Sequence, residues 1–226
     1  MFQHRLDLKK IEEKLRETQR RFDEINTHLT MRRDGMPDSV VERMMEGYAY
    51  VDSLLVRRAD ILRLGELHHL LELNHLVLCG SDAARRAEFA NHLKQTEEHF
   101  YDRQVGDVGG LIEWYDRHKG KPVRKRAAGF YVRALSRPQL FIEGNHRTGA
   151  LMMSYILGRE GKPPFVLTPE NAEAYFNPST LARDAHKASI DELVKIPKLK
   201  RYFANFLKET EDPALVCAPE ALAVAS

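Results

Sequence analysis

Apolar residues recur along the first third of the chain at spacings of three and four. Leu8, Ile11, Leu15, Thr18, Phe22, Ile25 and Leu29 make one stripe. Over about three heptads this reads as an a/d seam on one helix of about twenty-five residues. Thr18 in its middle weakens it as a free-standing coiled coil. Arg33-Asp34-Gly35-Met36-Pro37-Asp38-Ser39 breaks the pattern, and Asp38 or Ser39 is placed to cap a second helix. That helix carries Val41, Met44, Tyr48, Val51 and Leu55 at the same spacing. The pair predicts an antiparallel helical hairpin. An exposed apolar stripe of this length is unfavourable in water. It is therefore expected to be covered, either inside the hairpin or by a second copy in a homodimer.

Helical patterns continue downstream. One runs from Ile61 to Leu78 and ends near Cys79-Gly80; another starts at Ser81 or Asp82 and runs to about Phe100. The segment Tyr101 to Gly110 is short and contains Gly106, Gly109 and Gly110. Val123 to Ser136 is rich in Ala and Arg with apolar residues at helical spacing. Gly149 to Gly158 puts Leu151, Met152, Tyr155 and Ile156 on one face. Pro163 to Thr168 reads as an extended apolar connection. From Asp212 onward the chain is Ala- and Pro-rich with weak periodicity, the mark of a loosely docked tail. The expected fold class is all-α. The expected division is a helical region over 1–80, a core domain over 81–210 and a flexible tail over 211–226.

With 43% hydrophobic and 30% charged residues among 226, the composition is that of a soluble globular protein with a sizeable core. The net charge of +2 gives no global pull toward nucleic acid or membrane. Local basic clusters at Arg32-Arg33, Arg57-Arg58, Lys121–Arg126 and Lys195–Arg201 read as solvated helix faces, since no nucleic-acid motif accompanies them. Cys79 and Cys217 lack metal-like spacing and read as free thiols. The first seven residues hold no apolar core of signal-peptide type, and no apolar run approaches bilayer length. The expected location is the cytoplasm. His68, His69, His75, His92 and His99 lack a completing carboxylate motif and read as partly buried helix residues.

The chemistry concentrates in Gln139-Leu140-Phe141-Ile142-Glu143-Gly144-Asn145-His146-Arg147-Thr148. This stretch lies between two helical patterns, so Gly144, Asn145 and His146 fall in a tight turn that opens a helix. Amides at a helix start have no intrahelical acceptor, and the helix dipole favours anions there. Gly144 permits close approach of a ligand. Arg147 can fork onto a phosphate. Glu143 is a hard oxygen ligand of the kind Mg²⁺ prefers.

The stretch resembles the motif of the Fic/Doc family, His-x-Phe-x-(Asp/Glu)-Gly-Asn-(Gly/Lys)-Arg, whose members mostly move the AMP part of ATP onto a protein hydroxyl. Phe141, Glu143, Gly144, Asn145 and Arg147 match in identity and spacing. Gly161-Lys162-Pro163-Pro164 with Asn171 and Tyr175 is similar to the family's base-pocket border, and the resemblance covers roughly residues 85 to 205. It implies a Fic-like helical core, ATP and Mg²⁺ as cofactors, and a protein target. It also implies roles. The Gly144–His146 backbone would form an anion hole, and Asn145 would hold the loop and contact phosphate. Arg147 would grip another phosphate and Glu143 would hold the metal. Asn171 and Tyr175 would border the nucleotide.

Three departures bear on activity. Gln139 stands at the position of the general base, and an amide has no titrating proton near neutral pH. Ala150 replaces a second Arg common in the family. His146 replaces Gly or Lys, and with Arg147-Thr148 it leans toward the phosphotransferase branch, Doc. The family's β-hairpin flap, which docks the target segment, has room here for at most a vestigial hairpin at Tyr101–Gly110. Many relatives are silenced by a helix with (Ser/Thr)-x-x-x-Glu-(Gly/Asn). Glu46-Gly47 matches its last two letters, making Glu46 a candidate regulatory residue that could pair with Arg147. Three classes compete: a nucleotide-binding pseudoenzyme, an active nucleotidyl- or phosphotransferase with another base, and a non-catalytic dimeric interaction protein.

Overall fold

The computed structural model of the protein describes residues 5–187 and 189–217. It is all-α: the described residues form helices, turns and two isolated bridges, with no sheet. The apolar stripe at the start becomes two helices, α1 (Leu8–Arg20) and α2 (Phe22–His28), because Arg21 leaves helical geometry at φ −102° and ψ 7°. The break lets the stripe follow two partners. Ile11 and Leu15 pack into the core toward α3 (Asp38–Val56), while α2 turns onto α10 (Pro169–Asp184), with Phe22 edge-on to Phe176. Thr18 is fully buried rather than a weak point, and its hydroxyl bonds the carbonyls of Lys14 and Leu167. The seam is therefore consumed inside the chain. Pro37 occupies the N-cap of α3, and Asp38, expected there, instead accepts from Arg16 and Gln19 and ties α3 to α1.

Residues 61–67 form turns, so the next helix, α4 (His68–Cys79), starts later than its apolar pattern suggested and ends on Gly80. Asp82 caps α5 (Ala83–Glu88), and the pattern to Phe100 is broken at Phe89 before α6 (Ala90–Tyr101). No β-hairpin follows among the described residues. Residues 102–107 turn tightly, and α7 (Val108–Arg117) starts at once, with the Asp107 side chain accepting from Gly110 N. Leu111, Ile112, Trp114 and Tyr115 bury its inner face, which holds a helix that carries two glycines.

The centre of the molecule is α9 (Asn145–Arg159), buried from Thr148 to Gly158 and packed between α3 and α8 (Val123–Leu135). A helix apolar on all sides is a core helix. Gly47 of α3 allows the closest approach: a Cβ there would sit 2.3 Å from a Leu151 methyl. That packing gives Gly47 a structural reason to be glycine. The extended segment Pro163–Val166 is buried, as its apolar run suggested, and feeds α10. α11 (Ile190–Leu193) and α12 (Lys195–Glu209) close the far side of α8, where Phe203 and Phe206 join a ring cluster with Tyr131, Phe165 and Tyr175. The start of the expected tail is docked: Leu215 is buried, and Cys217 N donates to Arg5 O beside the Leu6–Val216 bridge. The remainder of the tail, 218–226, lies outside the described residues. No described helix is long and apolar enough to cross a membrane.

Candidate active site

The Glu143–Arg147 turn forms part of the wall of a cavity of about 530 Å³. α9 supplies the turn, and α10 supplies Tyr175 and Phe176. The opposing residues come from the N-terminal elements: Leu15, Phe22, the loop 33–37, Val40, Arg43, Met44 and Tyr48. Gly144 sits at the N-cap with φ 75°, a left-handed conformation that glycine adopts without strain. The first helical bond is Thr148 N to Gly144 O, so the amides of Asn145, His146 and Arg147 precede the intrahelical ladder.

Asn145 builds the turn. Its Oδ1 accepts from Phe141 N at 3.0 Å and its Nδ2 donates to Phe141 O at 2.7 Å. Phe141 in turn is 2% exposed and stacked on Phe100. From below, Asn74 of α4 donates to Glu143 O and to the Thr148 hydroxyl. Asn145→Ala strands a buried N–H and a buried C=O of Phe141. We expect a loss of about 3 kcal/mol, seen as a fall of ~6–12 °C in Tm by circular dichroism. An unchanged Tm contradicts the bracing role.

His146 does not hang into an open loop. Its Nδ1 lies 3.3 Å from Tyr131 OH and its Nε2 3.4 Å from Arg33 Nη1. Arginine only donates, so Nε2 is the bare nitrogen and Nδ1–H faces Tyr131. The Tyr131 hydroxyl passes its own proton to Ser179 Oγ, which donates to Tyr175 O. Burial, then Arg33 and Arg183, push the His146 pKa down from 6.5 to about 3. The imidazole is neutral at neutral pH, so it cannot act as the titrating group that a free histidine would be. Tyr175 OH donates to His146 O at 2.9 Å and braces the turn from α10.

Arg147 Nη1 donates to Val77 O at 2.6 Å, and Nη2 lies 4.0 Å from Glu143 Oε1. Burial lowers its pKa, opposed by Glu143. Glu143 is exposed and has His92 at 3.8 Å on its other side. Two cations that the sequence did not place at the site, Arg33 and Arg43, complete the wall. Arg33 Nη2 donates to Thr180 Oγ1 and Phe176 O, with its guanidinium over the Phe176 ring. Arg43 Nη1 donates to Leu78 O.

Thus Glu143, Gly144, Asn145, His146, Arg147 and Tyr175 converge on one cavity, and three other candidates do not. Gln139 is half-buried outside the cavity wall, with its main-chain oxygen bonded to His99 Nε2 at 2.9 Å. Asn171 is spent on the start of α10, accepting from Thr168 N and donating to Val166 O. Glu46 accepts from Ser81 N at the end of α4 and does not reach Arg147.

The fold and the site together define an all-α protein in which a helix start faces a cavity lined by arginines and aromatic rings. The chain is similar to the protein adenylyltransferase Fic of Drosophila melanogaster and of Drosophila sechellia. Each is 28% identical over 142 residues, covering 60% of this chain and 27% of the relative. The Drosophila erecta protein of the same name is 26% identical over the same length. These distant homologues support a Fic-like family. The chain spans about a quarter of the length of these curated relatives. No family model and no solved structure matches.

Proposed function

We propose that this is a Fic-like protein with a degenerate active site, which binds a nucleotide or other phosphate-bearing ligand at the Gly144–Arg147 turn and has lost or altered transferase activity. The observation that carries this reading is the turn itself: unpaired helix-start amides and Arg147 face a cavity large enough for a ligand. Gln139 supplies no proton acceptor, and His146, whose bare nitrogen faces Arg33 and whose pKa is pushed down to about 3, is too weak a base to substitute. The donor set suits the cofactors that the motif resemblance implies. One exposed carboxylate beside an anion turn fits Mg²⁺, which commonly takes one or two carboxylates plus phosphate oxygens. Glu143 would hold the metal, and ATP would bring the phosphates. Calorimetric titration with ATP, GTP and inorganic phosphate, with and without Mg²⁺, tests this. Arg147→Ala is expected to weaken binding by about 1.5–3 kcal/mol in both conditions, whereas Glu143→Ala matters only with Mg²⁺. Absence of binding at millimolar ATP overturns the reading.

One observation favours the active alternative, a nucleotidyl- or Doc-like phosphotransferase acting on a protein hydroxyl. His99 reaches the Gln139 position from α6, and with Nε2–H donated to the Gln139 carbonyl its Nδ1 is the bare nitrogen. Transfer by the wild-type protein that is lost in His99→Ala would establish it. The third class, a homodimer joined through the Leu8–Leu29 stripe, requires undocking that stripe from α3 and α10.

A further inference from the structure

All three guanidinium groups of the cavity donate to neutral oxygens; Arg147 also has the Glu143 carboxylate at 4.0 Å, and Arg33 also faces His146 Nε2. Arg147 rests on Val77 O, Arg43 on Leu78 O, and Arg33 on Phe176 O and Thr180 Oγ1. Such partners fix the direction of a cation without neutralising it. Among the described residues neither Arg33 nor Arg43 has a carboxylate within ion-pair distance, and the Nε of each is buried without a hydrogen-bond partner. The carboxylates in the wall, Asp34 and Glu143, are exposed.

Val77 and Leu78 are consecutive residues in the last turn of α4. Their carbonyls therefore seat Arg147 of α9 and Arg43 of α3 side by side, and Arg43 is among the groups that lower the Arg147 pKa. Two neighbouring like charges repel. The carbonyl end of a helix offsets part of that repulsion; an anion shared by both offsets far more, since charge-assisted bonds to phosphate are about twice as strong as neutral ones. Arg43, Arg147 and the helix start at Asn145 line the same cavity.

We propose that Arg43 and Arg147 together grip one phosphate of a chain of two or more linked phosphates, with Arg33 facing the same chain within the cavity. The ligand class is a di- or triphosphate, not a monophosphate. This rests on the anion-binding reading of the turn.

The test is titration of the full chain with ATP, ADP, AMP and inorganic tripolyphosphate. Wild type is expected to bind ATP and tripolyphosphate more tightly than AMP. Arg43→Gln retains an amide that can donate to Leu78 O but no charge. It is expected to lose about tenfold to a hundredfold on ATP and tripolyphosphate, and less than about threefold on AMP. Arg43→Lys keeps the charge but not the fork, and is expected to lose clearly less on ATP than Arg43→Gln. Equal losses on ATP and AMP, or equal losses in the Gln and Lys variants, overturn the proposal and leave Arg43 as a cap for α4. ATP binding that depends on Arg147 but not on Arg43 overturns this inference while the function proposed above stands. Failure of wild type to bind any probe overturns both.

Discussion

Gln139→His is expected to create group transfer from ATP onto protein hydroxyls where the wild-type protein shows little. A positioned general base typically contributes ~10²–10⁴-fold to such a step. The substitution returns an imidazole to the residue just before Leu140 and Phe141, which are buried and anchor the motif to the core. The turn that would receive the phosphates is already braced by Asn145, Asn74 and Tyr175. The assay follows α- and γ-labelled ATP in parallel. Movement of the α-label marks nucleotidyl transfer; movement of the γ-label marks a phosphotransferase. Adding His146→Gly is expected to favour the α-label. Silence of both labels in the single and double variants would show that more than the proton acceptor has been lost, and would count against a preserved scaffold.

The second large effect is a loss of stability in acid that traces to one imidazole. In the unfolded chain His146 takes up a proton near pH 6.5; in the fold it resists protonation down to about 3. Between those values the unfolded state binds more protons, so stability rises with pH through the window. The contribution is fully present above about pH 6.5 and fades as the pH falls toward 3. At about 1.4 kcal/mol per unit, the window is worth on the order of 5 kcal/mol. His146→Gln cannot titrate, so its Tm is expected to fall less steeply between pH 6.5 and 4. Carboxylates with lowered pKa values, such as Asp38 and Asp191, also lose stabilising contacts in acid. They are common to both proteins and cancel in the difference. Parallel Tm curves for the two proteins would refute the assignment.

Local pattern carried much of the fold into view. α3, α8 and α9 lie where their apolar periodicity and flanking Gly and Pro put them, because those signals are set within a turn or two of chain. The breaks at Arg21 and Phe89 were not legible. Each divides a pattern that is periodic on both sides, and at Arg21 the reason is tertiary: α2 follows α10 while α1 follows α3. α7 was hidden by Gly109 and Gly110, whose low helix propensity is outweighed by burial of Leu111, Trp114 and Tyr115. At the site, the contiguous turn Glu143–Arg147 was readable as a unit. Arg33 and Arg43 were not, since about a hundred residues separate them from the turn. Arg33 stood only in a basic pair that resembled a solvated surface. The place of Asn171 was hidden for a similar reason, because its spacing cannot show that both ends of its amide bond the chain at the start of α10.

The break at Arg21 has an effect that reaches the cavity. By sending α1 and α2 to different partners, it brings the chain back through residues 33–37 directly across from the turn, so that one wall of the pocket is lent by the amino-terminal helices and the other belongs to the core. A vessel made of two leaves is only as closed as the joint between them. Whatever occupies it must favour the docked arrangement by mass action, in proportion to its concentration over its dissociation constant. Occupancy would then be written into the exchange rates of amides in α1 to α3, far along the sequence from the motif. Loosening those helices would empty the site without touching a single residue of the Glu143–Arg147 turn.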